Sequence, residues 1–219
     1  DHGHFLSERG YWAKNYMPWY EELIHIPLFV WDPRAPEAAG ERRDGLVQMI
    51  DMPPTLLEYF GVEPTERMQG RSIAGAMRDN APVREWALFG NFGQQVSVTD
   101  GRYVYMRGLA EEDNAPLFRY TALPIAMRNL GSVQQLARAE LTELPHSRGA
   151  KVYRLPIDSG RGKENGRTLL FDLDNDPGEA RPLDDAEAER RMTELLVTAM
   201  RDSDAPAEQY DRLGLPAPA

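Results

Sequence analysis

The fold is decided by Ile26-Pro27-Leu28-Phe29-Val30-Trp31, an unbroken apolar run that Asp32-Pro33 closes. A short run of this kind is typical of a parallel strand that is buried on both faces. Downstream, Asp51–Gly61 predicts a helix, with Asp51 as its N-cap, prolines in its first turn and Gly61 just past its end. A strand, a loop and a capped helix in this order indicate an α/β fold.

The C-terminal half of the sequence predicts antiparallel strands and a long terminal helix. Gln95–Met106 is predicted to form a hairpin, because the turn-forming pair Asp100-Gly101 separates two alternating segments. Trp86–Phe92 alternates in the same manner and is a predicted strand, and Thr168–Leu173 is predicted as the last strand. Asp185–Arg201 carries its apolar residues on one side and predicts an amphipathic helix.

These segments suggest a division of the chain near residue 78. We predict that residues 1–78 are part of an α/β domain and that residues 79–219 form a smaller α+β subdomain. Within the subdomain, Gly108–Gly166 shows no persistent period apart from a candidate helix over Ser132–Leu144. It is therefore predicted to be an irregular insertion.

Charge and composition exclude several classes of function. The 219 residues contain 35 Asp and Glu against 25 Lys and Arg, a formal net charge of −10. We therefore expect no nucleic-acid binding, which requires a basic surface. No apolar run approaches the roughly 18 residues of a membrane span. The absence of cysteine excludes disulfides, thiolate metal sites and a cysteine nucleophile within these residues.

The candidate chemistry lies in the first fourteen residues. Asp1-His2 pairs a carboxylate with an imidazole, as in a divalent metal site, but two ligands do not complete one and the dipeptide is common by chance. His4 and His25 are possible further ligands, although His25 precedes the apolar run and fits a structural role better. Lys14, in an aromatic segment, is either a point charge for an anionic substrate or a solvated lysine.

Taken together, several segments resemble the sulfatase family of the alkaline phosphatase superfamily. In chain order they are Asp1-His2-Gly3, Glu8–Lys14, Glu21–Leu28, Asp51–Leu57, Gln69–Ser72 and Leu170–Glu179. The resemblance implies the C-terminal part of an alkaline-phosphatase-like α/β/α sandwich, followed by a smaller subdomain with an antiparallel sheet. It covers most of the chain.

The resemblance also implies roles for single residues. Asp1 and His2 match two ligands of the active-site metal, for which Ca²⁺ is expected, or Mn²⁺ or Zn²⁺ in a phosphonate or phosphate hydrolase. Lys14 matches the catalytic lysine that contacts the sulfate oxygens, and we expect His4 to bind substrate beside it. Arg9 stands where the family often has histidine, so no role is assigned to it.

The family's nucleophile, a formylglycine made from the Cys or Ser of a Cys/Ser-x-Pro-x-Arg motif, has no counterpart in this sequence. We therefore expect the nucleophile in an N-terminal half of the same protein, and we expect this chain alone to be inactive. The predicted substrate is a small sulfate ester. The alternatives are a phosphonate or phosphate monoester hydrolase, or a non-catalytic binding or oligomerisation module. A homo-oligomer is possible, and a cytoplasmic location is favoured over a periplasmic one.

Overall fold

The computed structural model describes residues 2–14, 18–123, 125–126, 129–157 and 166–217. Its α-helices are α1 (Glu21–Ile24), α2 (Met52–Tyr59), α3 (Ala74–Asp79), α4 (Val133–Ala137), α5 (Ala186–Asp202) and α6 (Ala207–Leu213). Its strands are β1 (Phe5–Leu6), β2 (Trp12–Ala13), β3 (Ala87–Gly90), β4 (Val96–Thr99), β5 (Tyr103–Arg107), β6 (Phe118–Thr121), β7 (Ile125–Ala126), β8 (Asn129–Leu130), β9 (Glu140–Thr142), β10 (Val152–Pro156) and β11 (Leu169–Asp172). None of these helices combines the length and the apolar composition that crossing a bilayer requires.

The largest sheet is antiparallel and has the strand order β11-β5-β4-β3. The predicted hairpin is its centre, since β4 and β5 pair from Val96↔Arg107 to Thr99↔Val104. Asp100 closes the turn by accepting hydrogen bonds from the backbone N–H groups of Arg102 (3.0 Å) and Tyr103 (2.7 Å). The predictions of this hairpin and of the strands on either side are confirmed.

Helix α5 covers one face of this sheet, which confirms the predicted terminal helix. Asp185 caps its first turn by accepting from the N–H groups of Glu187 and Ala188, both at 3.0 Å. The helix, the sheet and α6 enclose a continuous core. Its buried members include Val98, Tyr105, Leu170, Met192, Leu196, Met200, Tyr210 and Leu213.

The opposite face of the sheet packs against the N-terminal segment. Val104, Met106 and Phe171 are buried there, and the ring of Tyr20 meets that of Phe171 edge-on, with 6.0 Å between the centroids. The sheet therefore has an apolar layer on both faces, and the chain just before α1 supplies part of the second one.

The prediction of an irregular insertion over Gly108–Gly166 is wrong in part. This region contains a three-stranded sheet of order β6-β10-β9, in which Arg154 lies opposite both Tyr120 and Glu140. The predicted helix is shorter, with Ser132 capping only α4 (Gln135 N to Ser132 Oγ, 3.2 Å). The sheet was missed because β6 and β10 pair from Tyr153↔Thr121 onward, across a connection too long to leave a local signal.

The prediction of a buried strand at Ile26–Trp31 is also wrong for the described structure. These residues form no strand. Phe29 is 93% exposed and Trp31 75% exposed. A strand requires a hydrogen-bonded neighbour, and none of the described segments pairs with this one.

Helix α2 forms as predicted but is capped differently. Gly61 follows its end with φ +68°, and Val62 N donates to Leu57 O at 2.8 Å. The Asp51 carboxylate, however, accepts from the N–H groups of Gln48 and Arg71, both at 2.8 Å, and pairs with the buried Arg84 guanidinium. Asp51 thus joins three segments instead of capping the helix, and the apolar side chains of Leu56 and Phe60 are largely exposed.

Candidate functional site

A short hairpin brings two of the predicted site residues together. Strands β1 and β2 pair antiparallel, with Phe5 opposite Ala13 and Leu6 opposite Trp12. His4 and Lys14 each lie one residue beyond the Phe5↔Ala13 pair, so they flank the same open end of the hairpin. Both side chains are exposed, and His4 Nδ1 lies 2.7 Å from the Phe5 carbonyl oxygen.

Gly3 holds the start of this hairpin against α1. Its N–H donates to the carbonyl of Leu23 at 2.8 Å. A Cβ at this position would come within 1.9 Å of the Glu22 carbonyl oxygen, so only glycine fits. The glycine of Asp1-His2-Gly3 therefore permits a close approach of two backbones, and it fixes where His2 lies.

His2 suits the predicted role of metal ligand in one respect. Its Nδ1 lies 2.8 Å from the Gly3 carbonyl oxygen, the kind of second contact that orients a metal-binding imidazole. Asp1, the other predicted ligand, lies outside the described residues. Within the described part of the chain, no three His, Asp or Glu side chains cluster as a metal site. A cation at His2 would need further ligands from beyond these residues.

The two cations of residues 2–14, Arg9 and Lys14, have different surroundings. The Arg9 side chain is 19% exposed and is held by carboxylates and carbonyls. Lys14 is exposed at the open end of the hairpin. The neighbouring Trp12 is 72% exposed, so the aromatic segment does not enclose Lys14 within the described residues.

Sequence reasoning missed the groups that fix the closed end of the hairpin. Arg9, at its tip, donates to Glu22 on α1 (3.2 Å) and to the carbonyls of Gly178 (2.8 Å) and Glu179 (3.2 Å). In the sequence, Glu179 is included only as the end of the resembling segment Leu170–Glu179, and no role is assigned to Arg9. Because these residues are 170 positions apart, no local pattern links them.

Glu179 has an unusual electrostatic environment. Its side chain is buried, Oε2 accepts from the Glu21 N–H at 2.7 Å, and Oε1 has no hydrogen-bond partner among the described residues. Burial raises the pKa of Glu179 to about 7, against the opposing effects of the Glu21 N–H and the Arg9 charge. The pKa of the adjacent Tyr20 is also raised, chiefly by burial.

Comparison with known proteins identifies the family. The family model of the C-terminal part of N-sulphoglucosamine sulphohydrolase matches residues 7–142, more than half of the chain. The chain belongs to the sulfatase family. The matched region begins inside the β1–β2 hairpin and contains Arg9, Lys14 and most of the insertion.

Curated relatives agree with this assignment. A sulfatase of Formosa agariphila is 32% identical over 120 residues, which are 52% of this chain and 23% of that protein. The N-acetylglucosamine-6-O-sulfatase of Bacteroides thetaiotaomicron is 37% identical over 73 residues, 33% of this chain and 12% of the relative. The chain thus spans about a quarter or less of the length of these relatives and corresponds to the C-terminal portion of a sulfatase.

A solved structure shows the same fold. BT4656, determined in complex with its substrate D-glucosamine-2-N,6-O-disulfate, superposes with a TM-score of 0.61 and 15% identity. The match covers 94% of this chain and 34% of that protein. The predicted fold class, the C-terminal part of an alkaline-phosphatase-like α/β structure, is confirmed.

Proposed function

We propose that the chain is the C-terminal part of a metal-dependent sulfuric-ester hydrolase that cleaves sulfate monoesters. The observation that carries the proposal is the register of the β1–β2 hairpin, which brings His4 to the same end as Lys14, a residue within the segment that the sulfatase family model matches. Below, "the complete protein" means this chain together with its proposed N-terminal half.

Lys14 is the residue proposed to bind the sulfate group. Its ammonium is a compact charge that offsets the negative charge on the non-bridging sulfate oxygens, both in the substrate and as the ester bond breaks. His4, at the same end of the hairpin, binds the substrate beside it. Arg9 is not proposed for this role, since its guanidinium is engaged by Glu22 and two backbone carbonyls.

His2 and Asp1 are proposed to hold a divalent cation, with Ca²⁺ as the first candidate. When bound, the cation supplies positive charge that favours the ionised form of the upstream formylglycine nucleophile. The Nδ1 contact of His2 with the Gly3 carbonyl and the close packing of Gly3 on α1 orient the imidazole for this task.

The exposed apolar surface supports an N-terminal half as the structural partner. Leu28, Phe29, Val30 and Trp31 are all at least 46% exposed. Other exposed apolar side chains follow on and near α2: Met49, Ile50, Leu56, Tyr59, Phe60 and Val62. Arg34 lies 4.3 Å from the centroid of the Tyr59 ring and links the two segments. Exposed apolar residues in such number are typical of an interface.

Hydrolysis by the complete protein tests the proposed function. We expect release of inorganic sulfate from a panel of aryl and sugar sulfates, loss of this activity after treatment with a chelator, and recovery with Ca²⁺. Faster hydrolysis of the matched phosphate or phosphonate esters would favour a phosphate-type enzyme instead. Absence of hydrolysis of every ester by metal-loaded protein would favour a non-catalytic module.

A further inference from the structure

Arg9 joins three parts of the chain that are distant in sequence. Its guanidinium lies 3.5 Å from the centroid of the Tyr20 ring, donates to Glu22 from both Nε and Nη2, and donates to the carbonyls of Gly178 and Glu179. A planar guanidinium satisfies several acceptors at fixed angles, which a lysine cannot do. The tip of the β1–β2 hairpin is therefore attached both to α1 and to the turn that follows β11.

Glu179 also connects the turn that follows β11 to the hairpin and to α1. Its Oε2 lies 3.6 Å from Arg9 Nη2 and accepts from the N–H of Glu21, the first residue of α1. The turn that carries Glu179 is itself fixed to the main sheet, since Asp172 at the end of β11 accepts from the Asp174 N–H (3.2 Å) and the Asn175 side chain (2.9 Å). The position of α1 thus depends on the C-terminal sheet.

The contacts of α1 continue to the candidate site. Leu23 of α1 accepts the Gly3 hydrogen bond, and Glu22 leaves no room for a side chain at Gly3. The hairpin in turn leads from Arg9 at its tip to His4 and Lys14 at its open end. The turn over residues 174–179 is therefore connected in two ways, through α1 and through the hairpin, to residues that are proposed to bind the metal or the substrate.

We propose that Arg9 and Glu179 are positioning residues, which hold the β1–β2 hairpin against α1 and the turn at 174–179 so that Lys14 meets the substrate. This inference rests on the proposed function of Lys14. In this proposal neither residue touches the substrate, and both act through the hairpin and α1. A displacement of about 1 Å at a reacting group can lower a rate by about 100-fold.

A comparison of Glu179→Ala with the conservative variant Glu179→Gln distinguishes a positioning role from a role in protein stability alone. In the complete protein we expect Glu179→Ala to lower kcat/KM for a sulfate ester by about tenfold or more. Glu179→Gln, which keeps the acceptor for the Glu21 N–H, should stay within about threefold of wild type. Asp185→Ala is the control, since it removes a helix cap on α5 and should leave kcat/KM of the folded enzyme unchanged. An equal loss in Glu179→Ala and Asp185→Ala would overturn the inference.

A double-mutant cycle tests whether Arg9 acts through Lys14. We expect Arg9→Ala to lower kcat/KM by about tenfold in the wild-type background and by less than about twofold in the Lys14→Ala background, because the positioned group is then missing. If Lys14→Ala is itself impaired but the losses of kcat/KM in the two single variants multiply fully in the double variant, the positioning inference alone is overturned. An unimpaired Lys14→Ala enzyme would contradict the proposed function of Lys14 as well, so the two failures are distinguishable.

Discussion

At the scale of single residues, the guanidinium of Arg9 lies close to two carboxylates. Arg9 pairs with Glu22 at 3.2 Å and lies 3.6 Å from Glu179, whose side chain is fully buried. A shared cation only partly offsets the cost of burying a charged carboxylate. This is the physical reason why burial prevails and the pKa of Glu179 rises from 4.5 to about 7.

Glu179 should make the stability of the complete protein depend on pH. Because its pKa is higher in the folded than in the unfolded state, its contribution is fully present below about pH 4.5 and is lost as the pH rises through 7. The loss is on the order of 3 kcal/mol, since one pKa unit corresponds to about 1.4 kcal/mol. Glu179→Gln removes this titration, so its stability relative to wild type should increase between pH 5 and 8. Denaturation curves across this range check the prediction, and parallel pH profiles for the two proteins would refute it.

At the scale of elements, α5 is the helix whose formation is best explained by residues that are close together in the sequence. Asp185 satisfies two of the N–H groups that a helix leaves unpaired at its start. Met192, Leu196 and Met200 then repeat every fourth residue and are buried against the sheet. A cap and a helical apolar period are sufficient to define this element.

The cap of α5 can be removed without touching the core. We expect Asp185→Ala to lower the free energy of unfolding by about 1 kcal/mol, because two N–H groups lose their acceptor. Asp185→Asn keeps a side-chain oxygen at the same place and should cost much less. Thermal or urea denaturation of both variants measures the difference, and equal stabilities would show that the capping bonds contribute nothing.

The elements also show which features a sequence can predict. The Asp100-Gly101 hairpin and the Asp185 helix were predicted because their signals lie within a few residues. The strand Val152–Pro156 was missed because one of its partners, Phe118–Thr121, is distant in sequence. The attachment of Arg9 to Glu179 was missed for the same reason, since nothing local links them. The roles of His2, His4 and Lys14 came from the resemblance to sulfatases and stay predictions.

At the scale of the whole molecule, one side of the described chain buries its apolar residues and another exposes them. One side is the closed core between α5 and the main sheet. The other exposes Ile26–Trp31, whose composition is that of a buried strand but which pairs with no strand among the described residues. We infer that the sequence of this segment is adapted to neighbours in the proposed N-terminal half of the protein.

Substitution of Phe29 tests this inference. If Phe29 is buried in the complete protein, Phe29→Ser should lower its free energy of unfolding by about 3 kcal/mol, as for other large-to-small changes in a core. Val133→Ser is the control, because Val133 is an exposed apolar residue of α4 (78%). Thermal denaturation of both variants measures the effect, and a Phe29→Ser protein as stable as wild type would show that this side chain faces solvent.

The central claim is that this chain supplies Lys14 to the active site of a sulfuric-ester hydrolase. The most direct measurement is kcat/KM of the complete protein for a sulfate ester, comparing Lys14→Ala with Lys151→Ala, which removes another exposed lysine. We predict a loss of about 100-fold for Lys14→Ala, the size seen when one charge-stabilising group is removed, and an unchanged melting temperature. Lys151→Ala should match wild type. A Lys14→Ala enzyme with the activity of wild type would contradict the claim.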